Sequence, residues 1–342
     1  MYESYFGLRE APFTLTPNTH FFLKSETHRQ ALETLLVALS NKEGFIKITG
    51  EVGTGKTLLC RKLLNALNDD VVTAYIPNPC CSAETLYCLV ANELGASELD
   101  SNASEGHEQF DRRYKADNFG ATEKQVLALR YINERLIELA QQGKQVVLLI
   151  DEAQSMPVET IEALRLLTNL ETESEKLLHI VLFGQPELDR MLAQENLRQL
   201  QQRISFQHRL QTLGRADIER YVSHRMLLAG YTGGRLFDVG AITLLCRGSK
   251  GVPRLVNVLC HKALMLAYGQ GQKVVSRKHM HAAIKDTESA ASPSRFRMPW
   301  HYAALIFLFN SLLVPLMPDI AAATAATTVD STLSMLFVGV AA

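Results

Sequence analysis

The sequence has little of what builds a metal or disulfide framework. Its six cysteines lie scattered through apolar segments and form no C-x-x-C pair. The closest group, Cys80, Cys81 and Cys88, has no fourth ligand nearby that would complete a tetrahedral zinc site. We therefore expect the cysteines to be small core residues in a reducing compartment, which argues against a disulfide-rich or zinc-stabilised module.

An excess of charge of either sign is also absent. The chain carries 35 Lys and Arg against 36 Asp and Glu over 342 residues. This balance disfavours a highly basic nucleic-acid coat, although a local basic patch is compatible with a neutral total. No helix-turn-helix, zinc module or basic arm is recognisable, so we expect that nucleic acid is not a partner.

The N-terminus lacks a basic stretch followed by an apolar run, so we expect no cleavable signal and a globular part that stays in the cytoplasm. Near the other end, residues 300–317 contain no Lys, Arg, Asp or Glu, which is near the lower length limit for a transmembrane helix. Asn310 and Pro315 weaken that interpretation. Arginines precede the segment and none follows it, which would place the globular part on the inner side of an inner membrane. The alternatives are a hydrophobic helix docked on the protein and a tail produced by a shifted reading frame.

Five short apolar segments predict β-strands, and helical patterns separate most of them. This alternation predicts a parallel sheet covered on both faces, because each crossover carries the chain back across the sheet. The predicted strands are residues 45–49, 71–76, 146–150, 179–183 and 204–210, and the helices that flank the first strand are residues 29–40 and 58–67.

The segment Gly50-Glu-Val-Gly-Thr-Gly-Lys-Thr57 matches the P-loop pattern G-x-x-x-x-G-K-S/T, with a predicted strand before it and a helix after it. Glycines in such a loop allow backbone N–H groups to surround phosphate oxygens, whereas an ordinary glycine turn does not need these flanking elements. Lys56 is expected to contact the β and γ phosphates of ATP, and the Thr57 hydroxyl to bind Mg²⁺. The expected nucleotide-binding residues are Gly50, Gly53, Thr54, Gly55, Lys56, Thr57 and Leu58.

Two carboxylates follow the predicted strand at 146–150. We expect Asp151 to hold Mg²⁺ together with Thr57, and Glu152 to orient and polarise the attacking water, which would make the site hydrolytic. A solvated acidic strand end is the alternative, and it is common for isolated pairs but not opposite a P-loop. ATP and Mg²⁺ are therefore the expected ligands.

Three further residues are candidates for the same cycle. Gln185 follows the strand at 179–183, where its amide could contact the γ phosphate or the water; the alternative is a turn residue that caps the next helix. Arg203, preferred over Arg198, could reach a neighbouring subunit's nucleotide, although a surface salt bridge would look identical in sequence. Arg254 opens a helix and could fold onto the phosphates, unless it is simply exposed.

These motifs together resemble the AAA+ ATPases of the general secretion pathway protein A family, over roughly residues 1–285. The resemblance implies that Gln185 is a sensor 1 residue, Arg203 an arginine finger that acts in a homo-oligomer, and Arg254 a sensor 2 residue. The segments that carry it include Tyr5-Phe-Gly-Leu8, Ala11-Pro-Phe13, Asp151-Glu-Ala-Gln154 and Gly184-Gln-Pro-Glu-Leu188.

The resemblance also implies partners. Long family members continue past a membrane helix into a periplasmic peptidoglycan-binding domain, for which this sequence has no room. It looks more like the short branch that serves a type IV pilus, so the implied partners are pilus or secretion assembly proteins. Two functions of other classes stay open: a DNA-binding ATPase that regulates transposition, and a nucleotide-dependent interaction switch with negligible turnover.

The expected organisation follows the chain in order. A P-loop α/β domain of the AAA+ type is followed by a small all-α lid, a linker, a possible transmembrane helix and a short tail. A polar stretch at residues 97–124 is predicted to be a long surface insertion. The corresponding ranges are 1–212, 213–287, 288–299, 300–317 and 318–342.

Overall fold

The computed structural model of the protein describes residues 2–14, 19–21, 23, 25–96, 121–171 and 176–290. Its centre is a five-stranded, all-parallel sheet in the order β2-β3-β4-β1-β5. The predicted parallel α/β sheet is thereby confirmed. The strands are β1 (Phe45–Gly50), β2 (Val71–Ile76), β3 (Gln145–Ile150), β4 (His179–Gly184) and β5 (Phe206–Leu210).

Burial along the strands follows their place in the sheet. Every residue of β1 and β4 is buried, whereas exposed and half-buried residues alternate along β5, which lies at an edge. The fifth strand starts two residues later than its sequence pattern predicts. The reason is that the backbone N–H of Ile204 donates to the Gln201 carbonyl in the turn after a helix, and so cannot join the ladder.

Helices cover both faces of the sheet. On one face, Leu35, Leu59 and Leu63 pack with Ile46 and Phe183 in a buried apolar cluster. A second cluster lies on the other face of the sheet. The helices up to the last strand are α1 (Tyr2–Phe6), α2 (Glu26–Ser40), α3 (Lys56–Leu64), α4 (Ala83–Ala91), α5 (Ala121–Gln141), α6 (Val158–Leu167), α7 (Pro186–Leu192) and α8 (Arg198–Gln201).

Two sequence predictions about helices change in detail. The helix expected at 58–67 begins earlier, at Lys56, because Gly55 takes a left-handed conformation (φ 100°) and serves as its N-cap. The surface insertion expected at 97–124 lies outside the described residues up to residue 120. Its last four residues belong to α5 instead, so the prediction is wrong for that part.

A helical lid follows the sheet, as predicted. The described N-terminal segment packs into this lid, because Tyr2, Phe6 and Phe13 share one buried apolar cluster with residues such as Leu245 and Leu264. The lid helices are α9 (Arg215–Leu228), α10 (Val239–Ser249), α11 (Pro253–Gly269) and α12 (Arg277–Lys285).

The helices that the structure describes include none that is long and apolar enough to cross a membrane. The membrane segment expected at 300–317 lies outside the described residues, as do residues 291–299 of the expected linker and the tail at 318–342.

One buried arginine joins the N-terminal segment to the lid. Arg225 on α9 donates from Nε to the Pro12 carbonyl (2.5 Å) and from Nη1 to the Tyr221 hydroxyl (2.9 Å). Its guanidinium carbon lies 4.8 Å from the centre of the Phe21 ring, a cation–π contact. A buried guanidinium needs such partners, because leaving a buried polar group unpaired is costly.

We expect Arg225→Met to lower the free energy of unfolding by about 2 kcal/mol, because the Pro12 carbonyl loses its charged donor in a buried position. Denaturant unfolding of the full chain measures this. Arg220→Met on the same helix is the matched control, since Arg220 is exposed and forms a surface ion pair with Asp217. Equal destabilisation by the two substitutions would contradict the anchoring role of Arg225.

Candidate nucleotide-binding site

Three neighbouring strands deliver the site residues to one edge of the sheet. In β4 and β1, Gly184 lies opposite Thr49, and in β3 and β4, Ile150 lies opposite Leu182. Because the strands are parallel, the residues that follow them emerge at the same edge. This edge therefore holds the glycine-rich loop after β1, the two carboxylates after β3 and Gln185 after β4.

The loop after β1 is held by its own threonine. Thr54 is buried, and both its backbone N–H (3.2 Å) and its hydroxyl (2.8 Å) donate to the Glu51 carbonyl. Gly50 faces this hydroxyl so closely that a Cβ at position 50 would lie 2.8 Å from it. The expected loop residues thus form one compact turn that leads directly into α3.

His28 on α2 supports the same turn, and the sequence patterns did not single it out. Its Nε2 lies 2.9 Å from the Thr54 carbonyl oxygen, and its Nδ1 lies 2.6 Å from the Ser25 hydroxyl. A carbonyl can only accept, so Nε2 carries the proton and Nδ1 accepts from Ser25. Burial lowers the pKa of His28, which favours this neutral form.

Lys56 is buried at the start of α3 and is the main positive charge of the loop. Its Nζ donates to the carbonyls of Gly50 (2.8 Å) and Glu51 (3.1 Å). Burial lowers the pKa of Lys56, and the carboxylates of Glu152 and Asp151 oppose that shift. The cation is therefore held at the phosphate-binding loop, facing the two acids.

Asp151 is buried at the end of β3 beside Thr57. Burial raises the pKa of Asp151, while hydrogen bonds from the Thr57 side chain and from the Glu152 backbone N–H (2.9 Å) lower it. Among the described residues no three His, Cys, Asp or Glu side chains cluster as a metal site. One carboxylate and one hydroxyl suit Mg²⁺, which keeps waters and takes phosphate oxygens as its other ligands.

Glu152 is held by two amides. One oxygen, Oε2, accepts from Nε2 of Gln154 (2.6 Å) and from Nε2 of Gln185 (3.1 Å). Burial tends to raise the pKa of Glu152, but these two hydrogen bonds and the charge of Lys56 outweigh it and lower the pKa overall. Glu152 is therefore ionised at neutral pH, and the two side-chain hydrogen bonds described for its carboxylate both fall on Oε2.

The lid contacts the loop at Gly53, a glycine of the loop itself. The Arg254 backbone N–H donates to the Gly53 carbonyl (3.2 Å), and a Cβ at position 53 would lie 2.6 Å from the Arg254 Cβ. Gly53 has φ 80°, so it needs both the missing side chain and the left-handed backbone. This contact brings the start of α11 directly against the loop.

A cavity of about 340 Å³ lies between the loop and the lid, within the size range of ligand pockets. It offers the cations of Lys56 and Arg254, the Thr57 hydroxyl and the Glu152 carboxylate, with Leu58 beside them. The residues present therefore fit a magnesium-bound nucleoside triphosphate.

Comparison with known proteins agrees with this geometry. A family model for the AAA domain matches residues 39–192. The fold is similar to the ORC2 protein of Aeropyrum pernix (TM-score 0.54, 17% identity, 80% of this chain and 72% of that chain). It is equally similar to Cdc6p from Pyrobaculum aerophilum (TM-score 0.54, 17% identity, 83% of this chain and 70% of that chain). The chain has the AAA+ P-loop fold.

One curated relative is similar over most of this AAA+ chain. General secretion pathway protein A of Aeromonas hydrophila is 38% identical over 314 residues, which is 92% of this chain and 53% of that protein. The AAA+ chain thus spans about half the length of this relative. An AAA domain binds nucleotide, so the family match is consistent with nucleotide binding by this chain. The sequence similarity relates the chain to the general secretion pathway protein.

Arg203 does not join the site within one AAA+ chain. It lies after α8, near the amino-terminal ends of the strands and so opposite to the candidate site. There its Nη1 donates to the Thr168 hydroxyl (2.5 Å). It lines a second cavity together with Gly44 and Phe45, at the start of β1. Its expected role needs a neighbouring subunit and stays a prediction.

Proposed function

We propose that the chain is an ATPase that binds and hydrolyses Mg-ATP at this site. The observation that carries the proposal is the Glu152 carboxylate, which is ionised and anchored through Oε2 at the cavity that Lys56 and Thr57 line. A site that only binds nucleotide has no need of a held carboxylate beside the phosphate loop. A general base requires this arrangement.

Each residue has one task in this proposal. Lys56 and Arg254 provide positive charge for phosphate oxygens, and Thr57 and Asp151 hold Mg²⁺, which neutralises charge on the phosphates when bound. Oε1 of Glu152 takes a proton from the attacking water. Gln185 keeps the other carboxylate oxygen in place and, by its position after β4, can sense the γ phosphate.

We further propose that the ATPase supports assembly or placement of an envelope machine of the secretion or type IV pilus kind. Similarity to General secretion pathway protein A supports the secretion part. The type IV pilus and an inner-membrane anchor rest on the family resemblance of the sequence. A homo-oligomer and contacts with pilus or secretion assembly proteins belong to the same proposal.

Replacing Glu152 by glutamine tests hydrolysis directly. We expect Glu152→Gln to lower ATP turnover by at least about a hundredfold, because the base is lost, while ATP binding is kept. Turnover is measured by phosphate release and binding by titration with a fluorescent ATP analogue. Glu159→Gln on α6 is the matched control, since Glu159 is exposed on a helix away from the cavity.

Unchanged turnover in Glu152→Gln would contradict the role of this residue. A wild-type protein that binds ATP but scarcely hydrolyses it would instead favour the interaction switch.

The Glu152→Gln variant should retain ATP and can therefore be used to capture partners from envelope fractions. Pilus or secretion proteins on the captured chain would support the partner proposal, whereas ATP-dependent DNA binding that falls steeply with salt would support the DNA-binding alternative.

A mixing experiment tests Arg203 in a neighbouring subunit. We expect Arg203→Ala and Lys56→Ala each to be inactive alone, and a mixture of the two to regain activity. In a mixed oligomer an intact loop meets an intact Arg203 across a subunit boundary. Arg198→Ala mixed with Lys56→Ala is the control, since Arg198 is exposed on the preceding helix. No recovery in a mixture shown to co-assemble would contradict action across subunits.

A further inference from the structure

Gln154 connects the ends of two strands through its side-chain amide. Its Nε2 donates to Oε2 of Glu152 (2.6 Å), and its Oε1 accepts from the backbone N–H of Gln185 (2.9 Å). Glu152 follows β3, and Gln185 is the N-cap of α7 after β4. The half-buried Gln154 side chain therefore spans the gap between the carboxylate and the neighbouring strand end.

The chemistry of the two ends permits only one orientation of this amide. A carboxylate accepts hydrogen bonds, so the NH₂ group must face Glu152, and a backbone N–H donates, so the oxygen must face Gln185. A glutamate at position 154 would place an acceptor against the carboxylate. A methionine has a similar length and shape but makes neither bond. The position thus needs a side chain that donates at one end and accepts at the other.

Gln154 also holds Gln185, whose side-chain amide is the second donor to Glu152. The Gln185 side chain donates from Nε2 to the same Oε2 atom (3.1 Å), while its backbone N–H is held by Gln154. Glu152 itself has a left-handed backbone (φ 51°), which a residue other than glycine adopts only when its surroundings hold it there. The three residues form a closed ring of three hydrogen bonds, of which Gln154 makes two, one of them with the Gln185 backbone.

We propose that Gln154 is the positioning residue of the hydrolytic site, which holds the Glu152 carboxylate in its working orientation and couples it to Gln185. This inference rests on the proposed ATPase function. The described residues that line the nucleotide cavity do not include Gln154, so Gln154 acts through Glu152. Removing its amide leaves Oε2 with a single donor and leaves the α7 N-cap without its side-chain acceptor.

Kinetics of the full chain provide the first test. We expect Gln154→Met to lower kcat by about tenfold to a hundredfold, because that is the range expected for losing a hydrogen bond to a charged group. The KM for ATP should change by less than about threefold. Gln154→Glu keeps the shape and should be at least as impaired, because its carboxylate repels Glu152.

The matched control is Gln142→Met. Gln142 is exposed after α5, and its amide also donates to a carboxylate, Oε1 of Glu138 (3.4 Å), far from any proposed catalytic group. We expect Gln142→Met to leave kcat and the KM for ATP unchanged. A rise in the KM for ATP of Gln154→Met as large as its fall in kcat would overturn the positioning role in favour of a structural one. So would a Gln154→Met enzyme with the wild-type kcat.

A double-mutant cycle keeps the test independent of turnover. Thermal unfolding is compared for wild type, Gln154→Met, Glu152→Ala and the double variant at neutral pH. We expect Gln154→Met to lower Tm in the wild-type background and to have a clearly smaller effect in the Glu152→Ala background. Equal effects in the two backgrounds would overturn the inference. A wild type without ATP turnover would overturn the proposed function instead, while the cycle would still decide whether Gln154 holds Glu152.

Discussion

Parallel pairing of β1 with β4, and of β4 with β3, determines where each polar group of the site can lie. All three strands run in one direction and end at one edge, so the phosphate loop, the acidic pair and Gln185 meet without any long connection. A slip of one residue in either pairing would turn alternate side chains to the other face of the sheet. The apolar clusters on both faces resist such a slip, and the chemistry depends on this packing.

Charges within the site depend on one another. Lys56 is buried, and the two carboxylates that face it oppose the loss of its proton. Asp151 depends in turn on Thr57, and Glu152 depends on the amides of Gln154 and Gln185. The other wall comes from the lid, where Arg254 lies against Gly53 and Arg225 ties α9 to the N-terminal segment. Movement of the lid would therefore change the cavity as a whole.

The fold could be predicted from sequence because its signals are local. Apolar runs such as 146–150 are short and bounded, and the P-loop pattern needs only eight consecutive residues. Gln154 and His28 could not be assigned in this way. Gln154 gains its role from Gln185, which lies 31 positions away, and His28 gains its role from Thr54, 26 positions away. No periodicity or spacing rule contains such contacts.

Arg225 and Arg203 show the same limit in two forms. Arg225 is an unremarkable arginine in a helical pattern, and only the fold reveals that it holds Pro12, 213 positions away. Arg203 has a sequence position suited to an arginine finger, but its partner would belong to another subunit, so a single chain cannot show the contact. Sequence motifs thus identify the candidate nucleotide-binding residues more readily than the residues that position them.

We propose that one site, built from three strand ends and the lid, hydrolyses Mg-ATP. The most direct measurement is ATP turnover by the full chain across a Mg²⁺ titration, for wild type and for Asp151→Asn. We expect that wild-type turnover requires Mg²⁺, and that Asp151→Asn needs a higher Mg²⁺ concentration and reaches a lower maximum rate. Turnover that persists in excess chelator, or that is the same in both proteins at every Mg²⁺ concentration, would contradict it.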